Sequence, residues 1–259
     1  MTSDQLVALT TAQVKVLNSA ALNALDADQL AAIETADIAA LTTAQIANLA
    51  TASIATLTTD QVVALSSTQV PAMTTAQVAN LSTDQIAALE TRDLARMTTA
   101  QIAALTPSQV QALTTTQVTN LTTSQTVALT PTQIGNLTTD QVVALTTTQV
   151  PALTTAQVAN LTTSQVASIE IQDLVKMTTS QIAALTPTQV TALTTTQVTN
   201  LTTTQAVALT ADQVSKLTTD QVVALNTAQV SKLTTTQVQA LTTAQVVALE
   251  VADLAQMTT

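Results

Sequence analysis

The residues best suited to chemistry in this 259-residue chain are paired carboxylates. Glu and Asp stand three apart in LETRDLAR (89–96), IEIQDLVK (169–176) and LEVADLAQ (249–256), which gives Glu90/Asp93, Glu170/Asp173 and Glu250/Asp253. An earlier relative, IETADIAA, occupies 33–40. Such pairs are candidate calcium ligands or a docking mark. Calcium, however, takes roughly six to eight oxygens, and no dense acidic loop surrounds these pairs. The simpler expectation is an alternative helix cap, with Asp93–Arg96 and Asp173–Lys176 as ion pairs on one face.

Other chemistry is excluded by composition. The chain has no His, Cys, Phe, Tyr or Trp, and a single Gly. Without His or Cys there is no Ser-His-Asp triad, no Cys-His pair and no zinc site of the usual kind. One Gly cannot make a phosphate-cradling loop or a dinucleotide fingerprint. Ser, Asp, Glu and Lys are present, but no segment gathers a nucleophile with a base. The expectation is therefore no enzyme, no cofactor, and no catalytic, cofactor-binding or metal residue. A net charge of −10 without aromatics removes the electrostatic and stacking terms that bind nucleic acid.

No apolar run reaches about 18 residues, so no membrane insertion is expected. The segment MTSDQLVALTT lacks the basic and apolar stretches of a signal peptide. Zero cysteines fit a bacterial or cytosolic chain rather than a disulfide-stapled one. Low complexity often means disorder, yet 46% of these residues are hydrophobic, enough to bury surface.

The elements that would position any site follow from an internal period of eight. Units such as LTTAQIAN (41–48), LTTDQVVA (57–64) and LTTTQVTN (193–200) run without insertion or deletion through 32 complete octads, and Met257 begins a 33rd. The reading is a single array over 1–259 with no separate domain. Position one is Leu, Ile or Met; position six is Val, Ile or Leu except at Thr126 and Ala206. Gln fills position five in 26 of the 32 octads.

Apolar residues alternately five and three apart fit neither a strand nor one long amphipathic helix. They fit a short helix restarted in every octad. With the N-cap at position two, Thr-x-x-Gln is a capping box, and the Leu before it staples to the position-six Val. Pro107, Pro131 and Pro187 then fall on the first helical residue, where proline costs little. Asp4, Asp28, Asp60, Asp84, Asp140, Asp212 and Asp220 sit in the first turn. Lys15, Arg96, Lys176, Lys216 and Lys232 sit in the last, so the charges complement a helix dipole. Pro71 and Pro151 at position seven limit each helix to about six residues.

Helices this short do not stand alone in water. The predicted fold is all-α: a solenoid of short capped helices, one per octad, with a Leu/Val spine. The alternative is a β-solenoid. Small residues at positions seven and eight allow close approach of coils, and two octads per coil is the preferred geometry. A second period of 80 residues separates the Glu-x-x-Asp octads, Thr126 from Ala206, and Pro71 from Pro151, which points to a duplicated block of ten octads. Leu6, Leu9 and Val14 at one end, with Leu249, Leu254 and Met257 at the other, are expected to be poorly covered and to permit head-to-tail association of copies.

Units such as LTTAQIAN, MTTAQVAN and LTTAQVVA resemble the LTTAQ-type octapeptide repeat regions of very large bacterial surface or adhesin-like proteins. The resemblance covers the whole chain and implies an elongated segment of an exported bacterial protein, at the cell surface or outside the cell. A shorter LTxxQ signature marks a periplasmic chaperone family, but there in isolated copies on long charged helices, a pattern this chain lacks. The expected function is a non-enzymatic structural scaffold, a spacer or stalk. The alternative is a binding module whose Thr-rich face recognises a protein, a glycan or ice.

Overall fold

Position two of each octad is where the chain enters a helix. Thr98 shows the pattern. It is extended, at φ −69° and ψ 157°, and its Oγ1 accepts from the Gln101 N–H at 3.2 Å. Gln101 Oε1 in turn accepts from the Thr98 N–H at 2.8 Å. The helix runs over Thr99–Ala103 and no further. The next Leu must point inward and the next Thr must be extended to cap again, so the helical ladder cannot continue. Repetition of this local rule builds the molecule.

The computed structural model describes residues 1–249 and Ala255. Among them lie 29 α-helices of four to six residues, two three-residue 3-10 turns and no strand. The fold is an α-solenoid, not its β counterpart. The three prolines at position three each occupy the first helical residue. Pro71 and Pro151 have a larger effect than a length limit: their octads contain only the 3-10 turns Val70–Ala72 and Val150–Ala152. Proline supplies no N–H to the α-helical ladder there. The cap bonds survive, with Gln69 Oε1 and Gln149 Oε1 accepting from Ser66 and Thr146 N–H at 2.7 and 2.8 Å.

The described residues form two compact units, divided between Leu129 and Thr130. In the first, Thr83–Ala88 packs against Thr59–Val63 and Pro107–Ala112. In the second, Ala211–Lys216 packs against Pro187–Thr191 and Thr235–Ala240. Neighbours in space are thus three octads apart. The expected two octads per coil is too few; a coil takes between three and four. Each octad sends only two aliphatic side chains inward, and a two-octad coil would surround a core too thin to exclude water. Core positions one and six are buried in both units, as in Ile102, Leu105, Val198 and Leu201. Thr126 and Ala206, the two exceptions at position six, are fully buried, and the Thr126 hydroxyl donates to Thr122 O at 3.1 Å.

The expectation of poorly covered ends is corrected in part. Leu6, Val14 and Leu249 are buried, while Leu9 is half-buried. Position six points inward even in the first octads, where later octads pack over it: the helix Ser3–Val7 contacts Ala27–Ala31, and Thr11–Val14 contacts Thr35–Ala40. Leu254 and Met257 lie outside the described residues. Among the described residues, no helix is long and apolar enough to cross a membrane.

Candidate functional site: a glutamine ladder and its acidic interruptions

Position five was assigned above only to the cap, and the structure gives it a second task. Gln101 is buried, and its Nε2 donates to Val70 O at 3.0 Å and Met73 O at 2.7 Å. In the other unit, Gln197 Nε2 donates to Val166 O at 2.9 Å and Ile169 O at 2.8 Å. The acceptors lie 31 and 28 residues back, at positions six and one of the preceding coil. The same pair of bonds recurs at Gln61, Gln77, Gln109, Gln181 and Gln221, among others. One primary amide therefore caps its own helix through its oxygen and ties two coils together through its nitrogen.

A signal for this second role was present in the sequence. A capping box accepts Glu as readily as Gln at its third helical position. Near-exclusive Gln in 26 of 32 octads means that a donor is needed as well as an acceptor.

Positions two to four face outward. The position-two hydroxyl is used in the cap, and the Thr, Ala, Ser and Asp residues at three and four are mostly exposed. In the second unit, Thr179, Thr203, Thr204, Val207, Ala208 and Lys232 line a shallow surface groove of about 570 Å³. It brings together hydroxyls, methyls and one ammonium, and no nucleophile with a base. Among the described residues, no group of three or more Asp or Glu side chains is placed to hold a metal ion.

The acidic octads break the ladder. Glu34, Glu90 and Glu170 stand at the N-cap but make no side-chain cap bond, contrary to the expected alternative cap. Three bonds beyond Cα, a Glu carboxyl overshoots the short Asx-like geometry that Thr and Asp satisfy. Asp37, Asp93 and Asp173 take the Gln position and are buried, at 2%, 1% and 1% exposure. One carboxylate oxygen of each, Asp37 Oδ2, Asp93 Oδ1 and Asp173 Oδ1, has no hydrogen-bond partner. Burial pushes the Asp173 carboxyl up to about 6, and the Glu170 charge adds to the rise. Asp93 is raised by burial, with Arg92 opposing and Glu90 adding; Asp37 is raised by burial and then by Glu34.

The expected ion pairs Asp93–Arg96 and Asp173–Lys176 do not form. Position five points into the core, whereas position eight places Arg96 and Lys176 in solvent. Arg92 is the residue that pairs, with Glu90 at 2.5 Å and Asp93 at 3.6 Å. Glu250 and Asp253 lie outside the described residues.

The regular pattern of cap, spine and buried amide is matched by a known repeat. A family model described as the ALTTAQ repeat matches residues 1–32, 30–67, 63–91, 86–123, 123–155, 139–168, 166–203 and 214–251. No curated protein matches the chain. An octad whose Leu, Thr and Gln are each committed to a defined bond, repeated over nearly every residue, places this chain in the ALTTAQ repeat family.

Proposed function

We propose that the chain is a non-enzymatic scaffold, one array of octads over 1–259, acting as a spacer or stalk segment of a larger bacterial surface protein. The observation that carries this reading is the uniform joint between coils. Because the Gln amides within each unit, such as Gln101 and Gln197, bridge to the same two octad positions of the coil before, an array can be lengthened or shortened by whole octads without any new kind of contact. The sequence frame passes Leu129 and Thr130 without interruption, in keeping with a single array.

The test is to place the chain between a surface anchor and an epitope tag, then to remove one 80-residue block. A spacer lowers the tag by an amount proportional to the octads removed, with adhesion unchanged. The competing use is recognition by the exposed Thr face. Loss of binding to cells, to arrayed glycans or to ice, with the tag at unchanged height, would establish that use and overturn the spacer.

A further inference from the structure

In each unit the octads on either side of an acidic one reveal what its Asp faces. Gln165 reaches Ile134 O and Leu137 O, and Gln181 reaches Val150 O and Leu153 O. The same register sets Asp173 against the carbonyls of Val142 and Leu145. In the first unit, Gln85 reaches Ile54 O and Leu57 O, and Gln101 reaches Val70 O and Met73 O. Asp93 is thereby set against Val62 O and Leu65 O. Asp37 is set against Leu6 O and Leu9 O, since Gln45 reaches Val14 O and Leu17 O.

Val142 O, Val62 O and Leu6 O each already accept a backbone N–H, from Leu145, Leu65 and Leu9 at 3.1, 3.2 and 3.1 Å, but the second donor that the Gln amide brings to such a joint is missing, and an ionised carboxylate has none to give. Asp is also one methylene shorter than Gln, so it stops short of the carbonyls it faces. Its orphaned oxygen is the visible result. We propose that Asp93 and Asp173, with Asp37, make proton-operated joints in the coil stack: closed when the carboxyl is protonated, loosened when it is ionised. A protonated carboxyl can donate to a water that in turn donates to both carbonyls, restoring what the Gln amide does elsewhere. The ionised form instead presents a third acceptor to two acceptors.

The surroundings offer no charge that would take over the proton's part at Asp173. The helix Ile171–Leu174 packs against Val150–Ala152 and Thr195–Asn200, neither of which carries a charged side chain. The helix that supplies Val142 carries only Asp140, which is exposed. Within the same octad, Glu170 and Lys176 are exposed. Asp93 differs by its Arg92 contact; its packing partners Val70–Ala72 and Thr115–Thr119 are uncharged, and Thr59–Val63 carries Asp60. Around Asp37, Thr11–Val14 is uncharged and followed by Lys15, Thr59–Val63 carries Asp60, and Ser3–Val7 carries Asp4. A divalent cation is a poorer occupant, since one carboxylate and two carbonyls fall short of its roughly six to eight oxygens.

The direction with pH is determined. A carboxyl raised from 3.8 to about 6 on folding contributes in full below pH 3.8, and that contribution is lost as pH rises through about 6. The joint at Asp173 should therefore close about tenfold less tightly at about pH 7 than at about pH 5.

Hydrogen exchange of the full chain tests this, read by mass spectrometry over 139–150 and 170–177 and corrected for the intrinsic pH dependence of exchange. Wild type should gain about tenfold in protection between about pH 7 and pH 5. Asp173→Gln should be as protected at the higher pH as wild type is at the lower, and Asp173→Asn should lose the pH dependence without restoring the full bridge. Asp212→Asn, which removes an exposed charge, should behave as wild type. The proposal is overturned if Asp173→Gln keeps the wild-type pH dependence, or if wild type shows none. It is equally overturned if calcium or potassium restores full protection at neutral pH, which would make the occupant a cation.

Discussion

Glutamine at octad position five cannot be exchanged for the glutamate that a helix cap would accept equally well. At Gln181 the oxygen accepts from the Thr178 N–H at 2.7 Å, and the nitrogen donates to Val150 O and Leu153 O at 2.9 and 2.8 Å. Gln181→Ala removes all three bonds and takes a donor from each of two carbonyls, of which Val150 O keeps the Leu153 N–H at 3.2 Å, so it should cost about 2–4 kcal/mol in urea melts. Gln181→Glu keeps the cap oxygen but sets a carboxylate against those carbonyls. Its cost should be comparable near pH 7 and should shrink toward pH 5, as the carboxyl regains a proton to donate. An equal cost at both pH values would show that the carbonyl contact is not what selects the amide. Thr178→Ala should cost about 1 kcal/mol through the cap alone. Its exposed neighbour Thr179 should tolerate Ala within about 0.5 kcal/mol, and equal losses at the two sites would contradict the register.

At the scale of the element, the helices are short because each is bounded by its own cap and by the next one. How they pack is set by the small residues of positions seven and eight. Gly135 shows how little room there is. A Cβ there would stand 2.8 Å from Asn160 O, at the end of the helix Thr155–Ala159. The glycine is needed for this approach of backbone to backbone and not for an unusual conformation, since its φ is negative. Helix propensity alone would make Gly135→Ala stabilising by up to about 1 kcal/mol. The contact reverses the sign: the substitution should destabilise by about 1–3 kcal/mol, because a backbone carbonyl cannot turn aside as a side chain can. Thermal melts decide between the two, and any rise in Tm would mean that the coils are more loosely packed than this structure has them.

For the whole molecule, the consequence of a uniform joint is a rule about length. Deleting the octad 41–48 brings Gln61 opposite Leu22 O and Leu25 O, which hold the same octad positions as its present acceptors, Leu30 and Ile33. Such a deletion should leave helical circular dichroism per residue unchanged and lower Tm by only a few degrees. Deleting 41–44 instead shifts every later octad by half a period against the coil before it. Spine and ladder then fail together, and cooperative melting should be lost near the cut. If both deletions behave alike, stability does not depend on the octad frame. Unfolding of such arrays need not be two-state, so the comparison rests on local protection as well as Tm.

Several features were determined by the sequence alone: the helix starts, the inward positions one and six, the outward charges, and membership of an all-α solenoid. Each rests on contacts made within three or four residues, such as Thr98 with Gln101, or on an apolar period that only one element satisfies. The number of octads per coil, the donor half of each Gln and the inward turn of Asp37, Asp93 and Asp173 were decided by the tertiary structure. These depend on bonds across 28 and 31 residues, between octads that look nearly identical to one another. A repeat that makes every octad a plausible partner for every other hides which of them meet. Only closure of the coil around its aliphatic core selects the partner, and with it the carbonyls that an amide can satisfy and an ionised aspartate cannot.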